Sequence, residues 1–235
     1  MNRLNLAHEI IEFKANSSVF DIKTKRKDIF VYGSVKLAKV TADFDWNPGS
    51  FYGRNHEFEK YAKGYGKNSI NYESYICKLT ADIDWSRTPR LFIKPSKDAK
   101  VFTGKVFNKS EWKDFMYNRL NESDNTRLTS ATMIQISQPY FLIKEARIWI
   151  VGKKVITSSY YRFHGDIEFE ENVAVDGLDF AQRMAELYNV ADAYVMDIAM
   201  TLDGWKIMEV NCINSAGFYK GEVTKIIQAL ENFYK

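Results

Sequence analysis

Three oxygen-bearing side chains near the C-terminus have the types and the spacing of a magnesium site. Glu209 and Asn211 alternate with apolar residues on the last predicted strand, so both point to one face of a sheet. Asp197 stands alone among apolar residues on the preceding predicted strand, and Asp203-Gly204 between the strands predicts a tight hairpin turn. Pairing through that turn could bring the three oxygen-bearing groups together, which suits Mg²⁺. The alternative is that both acidic residues simply lie on the solvent face.

This hairpin resembles the metal-binding end of ATP-grasp enzymes. The resemblance is strongest to a small clade named for one arginine and two lysines, which is common in bacterial and phage genomes. It covers about residues 90–218, with a weaker echo at residues 46–51 and 65–71, and the Glu-x-Asn hairpin is its most specific part. The resemblance implies an ATP-grasp fold that holds a nucleotide between two α+β subdomains, ATP and Mg²⁺ as cofactors, and three magnesium ligands. These ligands are Asp197, Glu209 and Asn211.

A lysine at the end of a short apolar strand is the first candidate for phosphate binding. Lys94 precedes Pro95, as in the family's Lys-Pro strand, whose lysine contacts the ATP phosphates. A point charge on a rigid strand neutralises phosphate without strict geometric demands, although a lone lysine at a strand end is ordinarily solvated. The following loop contains one glycine and so departs from the Gly- and Ser-rich loop of many ATP-grasp enzymes. We expect lysines to replace part of that contact, first Lys100, then Lys97 or Lys105.

Two glutamines lie in a segment that resembles the strand and hinge lining the adenine. By that resemblance Gln135 and Gln138 would be near the base, while backbone groups of the hinge would read the adenine edge. An ordinary polar loop is the alternative interpretation of this segment.

An E-x-R strand supplies the candidate catalytic arginine. Glu145 and Arg147 share one face of a predicted strand, as in a similar strand of the family. The resemblance implies that Arg147 approaches the transferred phosphate, where its planar fork suits phosphate oxygens, and that Glu145 belongs to the nucleotide site. The alternative is a surface Glu–Arg pair of little energetic value. Arg162, at the end of the next strand, is a second catalytic candidate, whereas His164 is interpreted as structural or solvated.

The elements that must position these residues predict an α+β protein with a largely antiparallel sheet. The polar stretch before Pro89 suggests a boundary between an N-terminal subdomain, residues 1–88, and an ATP-grasp core, residues 89–235. The predicted helices are Leu4–Lys14, Glu57–Lys63, Ser110–Leu120 capped by Ser110, Asp176–Asn189 and a last helix burying Tyr219, Val223, Ile226, Ile227, Leu230 and Phe233. The predicted strands are Ile29–Tyr32, Val35–Phe44, Leu91–Lys94, Val101–Phe107, Thr132–Ser137, Phe141–Val151, Lys154–Phe163, Tyr194–Met200 and Trp205–Asn211.

Composition narrows the class of protein. The 235 residues include 33 basic and 30 acidic residues, and this balance does not indicate a dedicated nucleic-acid-binding protein. The basic cluster at residues 23–27 is typical of a solvated turn, with an anionic partner as the alternative. The two cysteines have no metal-binding spacing and do not mark a disulfide scaffold. No signal peptide and no membrane span is expected, so the predicted compartment is the cytoplasm, that of a host cell if the protein is phage-encoded.

The resemblance implies a carboxylate–amine ligase that acts through an acyl phosphate. Its substrates would be a carboxylate and an amine from small molecules, amino acids or peptides, selected by the N-terminal part and by loops at residues 47–54 and 162–171. Since the N-terminal part is short for such an enzyme, a second copy or a partner protein could complete substrate binding. The alternatives are a phosphotransferase that acts on a hydroxyl and a nucleotide-binding regulatory or interaction module without turnover.

Overall fold

Two antiparallel sheets form the framework of the protein. The computed structural model describes residues 6–11, 22, 24–96, 101–121 and 128–235. The strands are β1 Tyr75–Lys78, β2 Leu91–Pro95, β3 Lys105–Phe107, β4 Met133–Ser137, β5 Lys144–Val151, β6 Lys154–Phe163, β7 Asp166–Glu170, β8 Ala193–Thr201 and β9 Gly204–Cys212. The α-helices are α1 Val35–Val40, α2 Phe58–Tyr65, α3 Lys109–Asn121, α4 Val175–Leu187 and α5 Val223–Tyr234. The predicted α+β class with antiparallel sheets is therefore confirmed.

The smaller sheet has the strand order β1-β4-β2-β3. Trp112 of α3 packs into its core, together with apolar residues of β2, β3 and β4. β1 lies before the predicted boundary at residue 88, yet it pairs with β4, with Cys77 opposite Ile134. One sheet thus contains strands from both sides of that boundary. The division into residues 1–88 and 89–235 stays a prediction.

The larger sheet, of order β7-β6-β5-β8-β9, directs its central strands into the main core. Ala146, Ile148 and Ile150 of β5 are fully buried, and α4 packs against β5, β6 and β8. Successive side chains of a strand point to opposite faces. The same strand therefore directs Arg147 and Trp149 to the other face of the sheet.

The start of α3 is set by a reciprocal pair of hydrogen bonds. The Glu111 N–H donates to Asn108 Oδ1 at 2.9 Å, and the Asn108 N–H donates to a Glu111 carboxylate oxygen at 2.8 Å. This is a capping box, which satisfies amide groups that have no partner within the helix. The prediction that Ser110 caps this helix is wrong, because the cap lies two residues earlier.

The N-terminal third differs most from the sequence prediction. The predicted strand Val35–Phe44 is wrong: it is helix α1 followed by a 3-10 turn at Thr41–Asp43. The Ser34 hydroxyl accepts a hydrogen bond from the Leu37 N–H at 3.2 Å, and this N-cap outweighs the strand preference of the valines. Ile29–Tyr32 forms only an isolated bridge between Phe30 and Gly49.

Other segments also differ from the predicted elements. Residues 6–11 have no regular secondary structure, and the remainder of the predicted helix Leu4–Lys14 lies outside the described residues. The strand predicted at Val101–Phe107 is shorter and forms only β3. The predicted loop at residues 162–171 contains β7.

The last helix buries fewer residues than predicted. Ile226 and Leu230 are buried on α5, but Phe233 is exposed. Tyr219 lies before the helix and is also exposed. Within the described part of the chain, no helix has the length and apolarity needed to cross a bilayer.

A glycine-to-alanine change on α4 tests the packing of this helix on the larger sheet. A Cβ at Gly177 would lie 2.8 Å from a ring carbon of Trp205, closer than the packed ring permits. Alanine ordinarily stabilises a helix relative to glycine by up to about 1 kcal/mol. We expect the clash to dominate, so that Gly177→Ala lowers the free energy of unfolding in urea by about 1–3 kcal/mol. Asp179→Ala, at an exposed position of α4, is the control, and a stabilised Gly177→Ala variant would contradict this packing.

Candidate active site

A cleft of 1220 Å³ is lined by residues from both sheets, and it gathers much of the predicted site. The smaller sheet and the loop before β3 form one wall, while β5 and β9 form the other. The predicted site residues that line the cleft are Lys94, Lys105, Gln135, Arg147, Glu209 and Asn211. Lys97 and Lys100 lie outside the described residues, so their predicted contact with phosphate stays a prediction.

The three predicted metal ligands meet on the hairpin β8–β9. Asp197 and Glu209 are directly opposite each other in the antiparallel register. The Asn211 Nδ2 donates to Asp197 Oδ2 at 3.2 Å and to Glu209 Oε1 at 2.9 Å, so the three side chains are in mutual contact. The turn ends at Gly204, whose φ of 91° favours glycine. Magnesium binding by these residues stays a prediction.

Asp197 is also the partner of Arg147 in a buried ion pair. Arg147 Nε donates to Asp197 Oδ1 at 2.8 Å, and Nη2 donates to Oδ2 at 2.7 Å. The Asp197 side chain is only 2% exposed. Burial raises the pKa of Asp197, and the guanidinium opposes that rise by stabilising the carboxylate. A bidentate bond of this kind fixes the plane of the guanidinium.

Two further contacts hold Arg147 in place. Its Nη1 donates to the Gly217 carbonyl oxygen at 3.3 Å, and its guanidinium carbon lies 4.8 Å from the centre of the Tyr219 ring. Arginine carries five N–H groups. The three bonds to Asp197 and Gly217 use three of them, which leaves two on a side chain that lines the cleft.

Glu145 pairs with Arg162 rather than with Arg147. The two residues are opposite each other on β5 and β6, and Arg162 Nε lies 3.7 Å from Glu145 Oε1. Burial raises the pKa of Glu145, and its hydrogen bond with Tyr161 lowers it in part. Arg162 and Glu145 are not part of the cleft lining within the described residues, and neither is the exposed Gln138. Their catalytic and nucleotide-binding roles stay predictions.

Lys94 links the two walls of the cleft. Its Nζ lies 3.9 Å from Glu209 Oε2, and the side chain is 24% exposed. A Cβ on Gly104 would lie 2.7 Å from the Cβ of Lys94, so the loop approaches β2 closely only because residue 104 is glycine. Lys105, next in the chain, lies with its Nζ 4.7 Å from the centre of the Phe107 ring.

Gln135 has one satisfied and one unsatisfied group. Its Nε2 donates to the Ser74 hydroxyl at 2.8 Å, while its buried Oε1 has no hydrogen-bond partner among the described residues. A buried acceptor without a partner costs free energy. The position of Gln135 in the cleft wall therefore fits a residue that bonds to a ligand.

The cleft also contains residues that the sequence analysis did not select. Tyr61 of α2 lines it, and burial raises the pKa of its hydroxyl, with the charges of Glu209 and Asp197 adding to the rise. His56 lines it too, with both ring nitrogens buried and without a hydrogen-bond partner in the described part of the chain. The sequence spacing of Tyr61 and His56 does not predict that they line the cleft. Their position depends on how the segment around α2 packs beside β9.

The donors in the cleft fit a magnesium ion bound with phosphate. Carboxylate and carbonyl oxygens are ligands that suit Mg²⁺, and the Asn211 amide, whose Nδ2 donates to both carboxylates in this structure, would bind a metal through its oxygen. No cluster of three or more His, Cys, Asp or Glu side chains suited to a metal occurs among the described residues. Glu209, Asn211 and Asp197 are the residues that would hold such a metal, and its charge would stabilise the oxygens of a bound phosphate.

Two facing sheets with a cleft that carries these groups define a protein of the ATP-grasp fold. The chain belongs to an ATP-grasp domain family, the third family of the clade named for one arginine and two lysines, whose model matches residues 26–230.

Solved structures share this fold at low sequence identity. A RimK domain ATP-grasp protein from Sphaerobacter thermophilus DSM 20745 superposes with a TM-score of 0.56 at 13% identity, over 77% of this chain and 67% of its own. D-alanine–D-alanine ligase from Bacillus anthracis gives a TM-score of 0.54 at 13% identity, over 77% and 64%.

The ATP-grasp ligase PsnB, complexed with a minimal precursor, gives a TM-score of 0.51 at 15% identity, over 76% and 60%. The chain thus spans less than two thirds of the D-alanine–D-alanine ligase and PsnB chains. No curated protein sequence matches the chain.

The buried ion pair can be tested by removing one partner or both. Arg147→Met leaves the Asp197 charge buried without a counter-charge, so we expect the free energy of unfolding in urea to fall by about 3–5 kcal/mol. The double variant Arg147→Met/Asp197→Leu removes both charges and should be more stable than Arg147→Met. Arg26→Met, in the exposed pair with Asp28, should cost no more than about 1 kcal/mol. Equal losses in both arginine variants would contradict the buried pair.

His56 should make stability depend on pH. Burial, with the charges of Arg54 and Lys60, lowers the pKa of His56 from 6.5 to about 4. Between these values the unfolded chain binds a proton that the folded protein does not, so stability falls as the pH drops from 6.5 to 4. We expect wild-type protein to lose up to about 3 kcal/mol more than His56→Leu across this range. Urea unfolding at several pH values measures the difference, and parallel curves would contradict it.

Proposed function

We propose that the protein is an ATP- and Mg²⁺-dependent carboxylate–amine ligase that acts through an acyl phosphate. The observation that carries this proposal is the continuous set of contacts across the cleft. Lys94 reaches Glu209, Asn211 bonds to Glu209 and to Asp197, and Asp197 holds Arg147. Basic side chains and side chains with oxygen atoms that could bind a metal thus lie next to each other within one site. Family membership and a fold shared with ligases support the same function.

Each side chain has a role that follows from its chemistry. Glu209 and Asn211, with Asp197 beneath them, would hold magnesium, which supplies positive charge to the phosphate oxygens when bound. Lys94 and Arg147 would offset the negative charge that develops on the transferred phosphoryl group. The Gln135 oxygen would accept a hydrogen bond from the nucleotide.

The reaction would depend on positioning and electrostatics rather than on a protein nucleophile. The substrate carboxylate oxygen attacks the γ-phosphorus of ATP, and ADP leaves. The amine then attacks the acyl carbon and phosphate leaves, which forms an amide. The two N–H groups of Arg147 that are not bonded to Asp197 or Gly217 could contact the carboxylate and then the acyl phosphate. We propose small molecules, amino acids or peptides as the substrates.

Trapping with hydroxylamine tests the first half of the reaction without knowledge of the amine. The protein is incubated with ATP, Mg²⁺, hydroxylamine and a mixture of amino-acid and dipeptide carboxylates, and ADP and hydroxamates are measured. We expect both products from wild-type protein and a loss of about 100-fold in Lys94→Met and in Glu209→Gln, because each change removes a charge from the site of phosphoryl transfer. Lys78→Met replaces an exposed lysine of the same sheet and should retain the rate within about twofold.

The products also discriminate between the candidate functions. ADP with a stable phosphoester in place of a hydroxamate would indicate a phosphotransferase. Nucleotide binding without any ADP release would indicate a binding module and would refute the ligase.

A further inference from the structure

A stacked group of exposed aromatic rings continues the cleft wall outward from Arg147. Tyr219 lines the cleft, and its ring stacks on Phe169 of β7 with centres 5.2 Å apart and planes 19° apart. On the inner side Tyr219 stacks on Tyr161, also at 5.2 Å, and covers the guanidinium of Arg147. The outer rings are far from buried: Phe169 is 47% and Tyr219 is 42% exposed. Ile167, on the same strand, is 70% exposed.

The position of these rings is fixed by the backbone beneath them. The buried Ser159 hydroxyl accepts a hydrogen bond from the Lys220 N–H at 3.1 Å and lies 3.3 Å from the Glu170 carbonyl oxygen. The Ser159 hydroxyl lies nearer to the Tyr160 carbonyl oxygen, at 2.7 Å, so Ser159 ties the loop that carries Tyr219 to β6, the strand that pairs with β7. Tyr219 has a φ of 49°, a conformation that costs a tyrosine free energy and that glycine would adopt freely. The loop thus carries a large aromatic side chain at a position whose backbone conformation favours glycine.

Exposed apolar residues are common on proteins when they are scattered, as Leu202 is at the tip of the β8–β9 hairpin. A contiguous exposed group that opens into a cleft is instead typical of a binding surface. Tyr219 belongs both to the cleft wall and to the exposed stack, so the two surfaces are continuous. A molecule whose reacting end lies beside Arg147 would extend directly over Tyr219 and Phe169.

We propose that Phe169 and Tyr219 bind an apolar side chain of the carboxylate substrate. This inference rests on the proposed function, since the two uncommitted N–H groups of Arg147 would contact the carboxylate end of the same molecule. The stack selects for substrates that carry an aromatic or large aliphatic group, because such a group removes the exposed faces of the rings from water. Substrates with a small or an acidic side chain gain nothing from this surface.

The test uses hydroxylamine as the acceptor and compares single carboxylates. Phenylalanine, leucine, alanine and glutamate are each supplied free and as the N-acetyl derivative, with ATP and Mg²⁺, and KM and kcat are measured for hydroxamate formation. We expect kcat/KM for phenylalanine or leucine, in the free or the acetylated form, to exceed that for alanine and glutamate by about tenfold or more. Phe169→Ala should abolish most of this preference through KM, with kcat and the values for alanine unchanged. Leu202→Ala, which removes an exposed apolar side chain from the turn between β8 and β9, is the control.

The outcomes separate this inference from the ligase proposal. If wild-type protein forms no hydroxamate from any carboxylate, the proposed function fails and the inference fails with it. If hydroxamates form but wild-type protein shows no preference for apolar side chains, the inference alone is overturned. It is equally overturned if Phe169→Ala lowers kcat/KM for every carboxylate alike, since a purely structural role predicts that result. Phe169→Leu, which keeps an apolar side chain, should restore part of the preference.

Discussion

The buried pair of Arg147 and Asp197 is the interaction on which the arrangement of the site depends. The two residues are opposite each other on the adjacent strands β5 and β8, and each carboxylate oxygen accepts from the guanidinium. A buried carboxylate is costly unless it is paired, and so is a buried guanidinium. Each residue therefore permits the other to lie beneath the cleft, and their fixed geometry sets where Asn211 and Tyr219 can make contact.

The pair also explains how acidic and basic groups coexist in a small volume. Asp197 and Glu209 lie opposite each other on adjacent strands, so their negative charges would repel. Arg147 forms an ion pair with Asp197, and Lys94 Nζ lies 3.9 Å from Glu209. The two negative charges are thus matched by two positive charges from the protein itself. A cation that enters the cleft would compete with the basic side chains for the carboxylates, and an anion would bind to the same basic side chains. A cleft with both kinds of charge suits a ligand that carries an anion and a cation together.

The residues that the sequence predicts well are those whose placement depends on local rules. Glu209 and Asn211 share one face of β9, as the period of two predicts. The tight turn alone would place Asp197 opposite Met208, and a one-residue irregularity in the pairing, between Asp197 and Ile198, places Asp197 opposite Glu209 instead. The convergence of the three side chains therefore depends partly on an irregularity that the sequence pattern does not predict. The partnership of Arg147 with Asp197 depends instead on the pairing of strands that are 50 residues apart in the chain. Tyr61 and His56 reach the cleft only through tertiary packing. The sequence predicts a strand where helix α1 forms, because Val35 and Val40 have a high strand propensity. That prediction does not include the effect of the N-cap Ser34, which favours a helix.

The two edges of the larger sheet are protected against strand addition in different ways. Along β9, the Ile70 N–H donates to the Ile207 carbonyl oxygen at 2.8 Å, so the chain's own backbone occupies part of that edge. At the opposite edge β7 is exposed along its whole length, and its sequence alternates Asp166, Glu168 and Glu170 with apolar residues. A second copy that approached this edge in antiparallel fashion would bring like charges together, which opposes self-association through an otherwise adhesive strand. The same carboxylates leave the edge accessible to chains that carry basic residues.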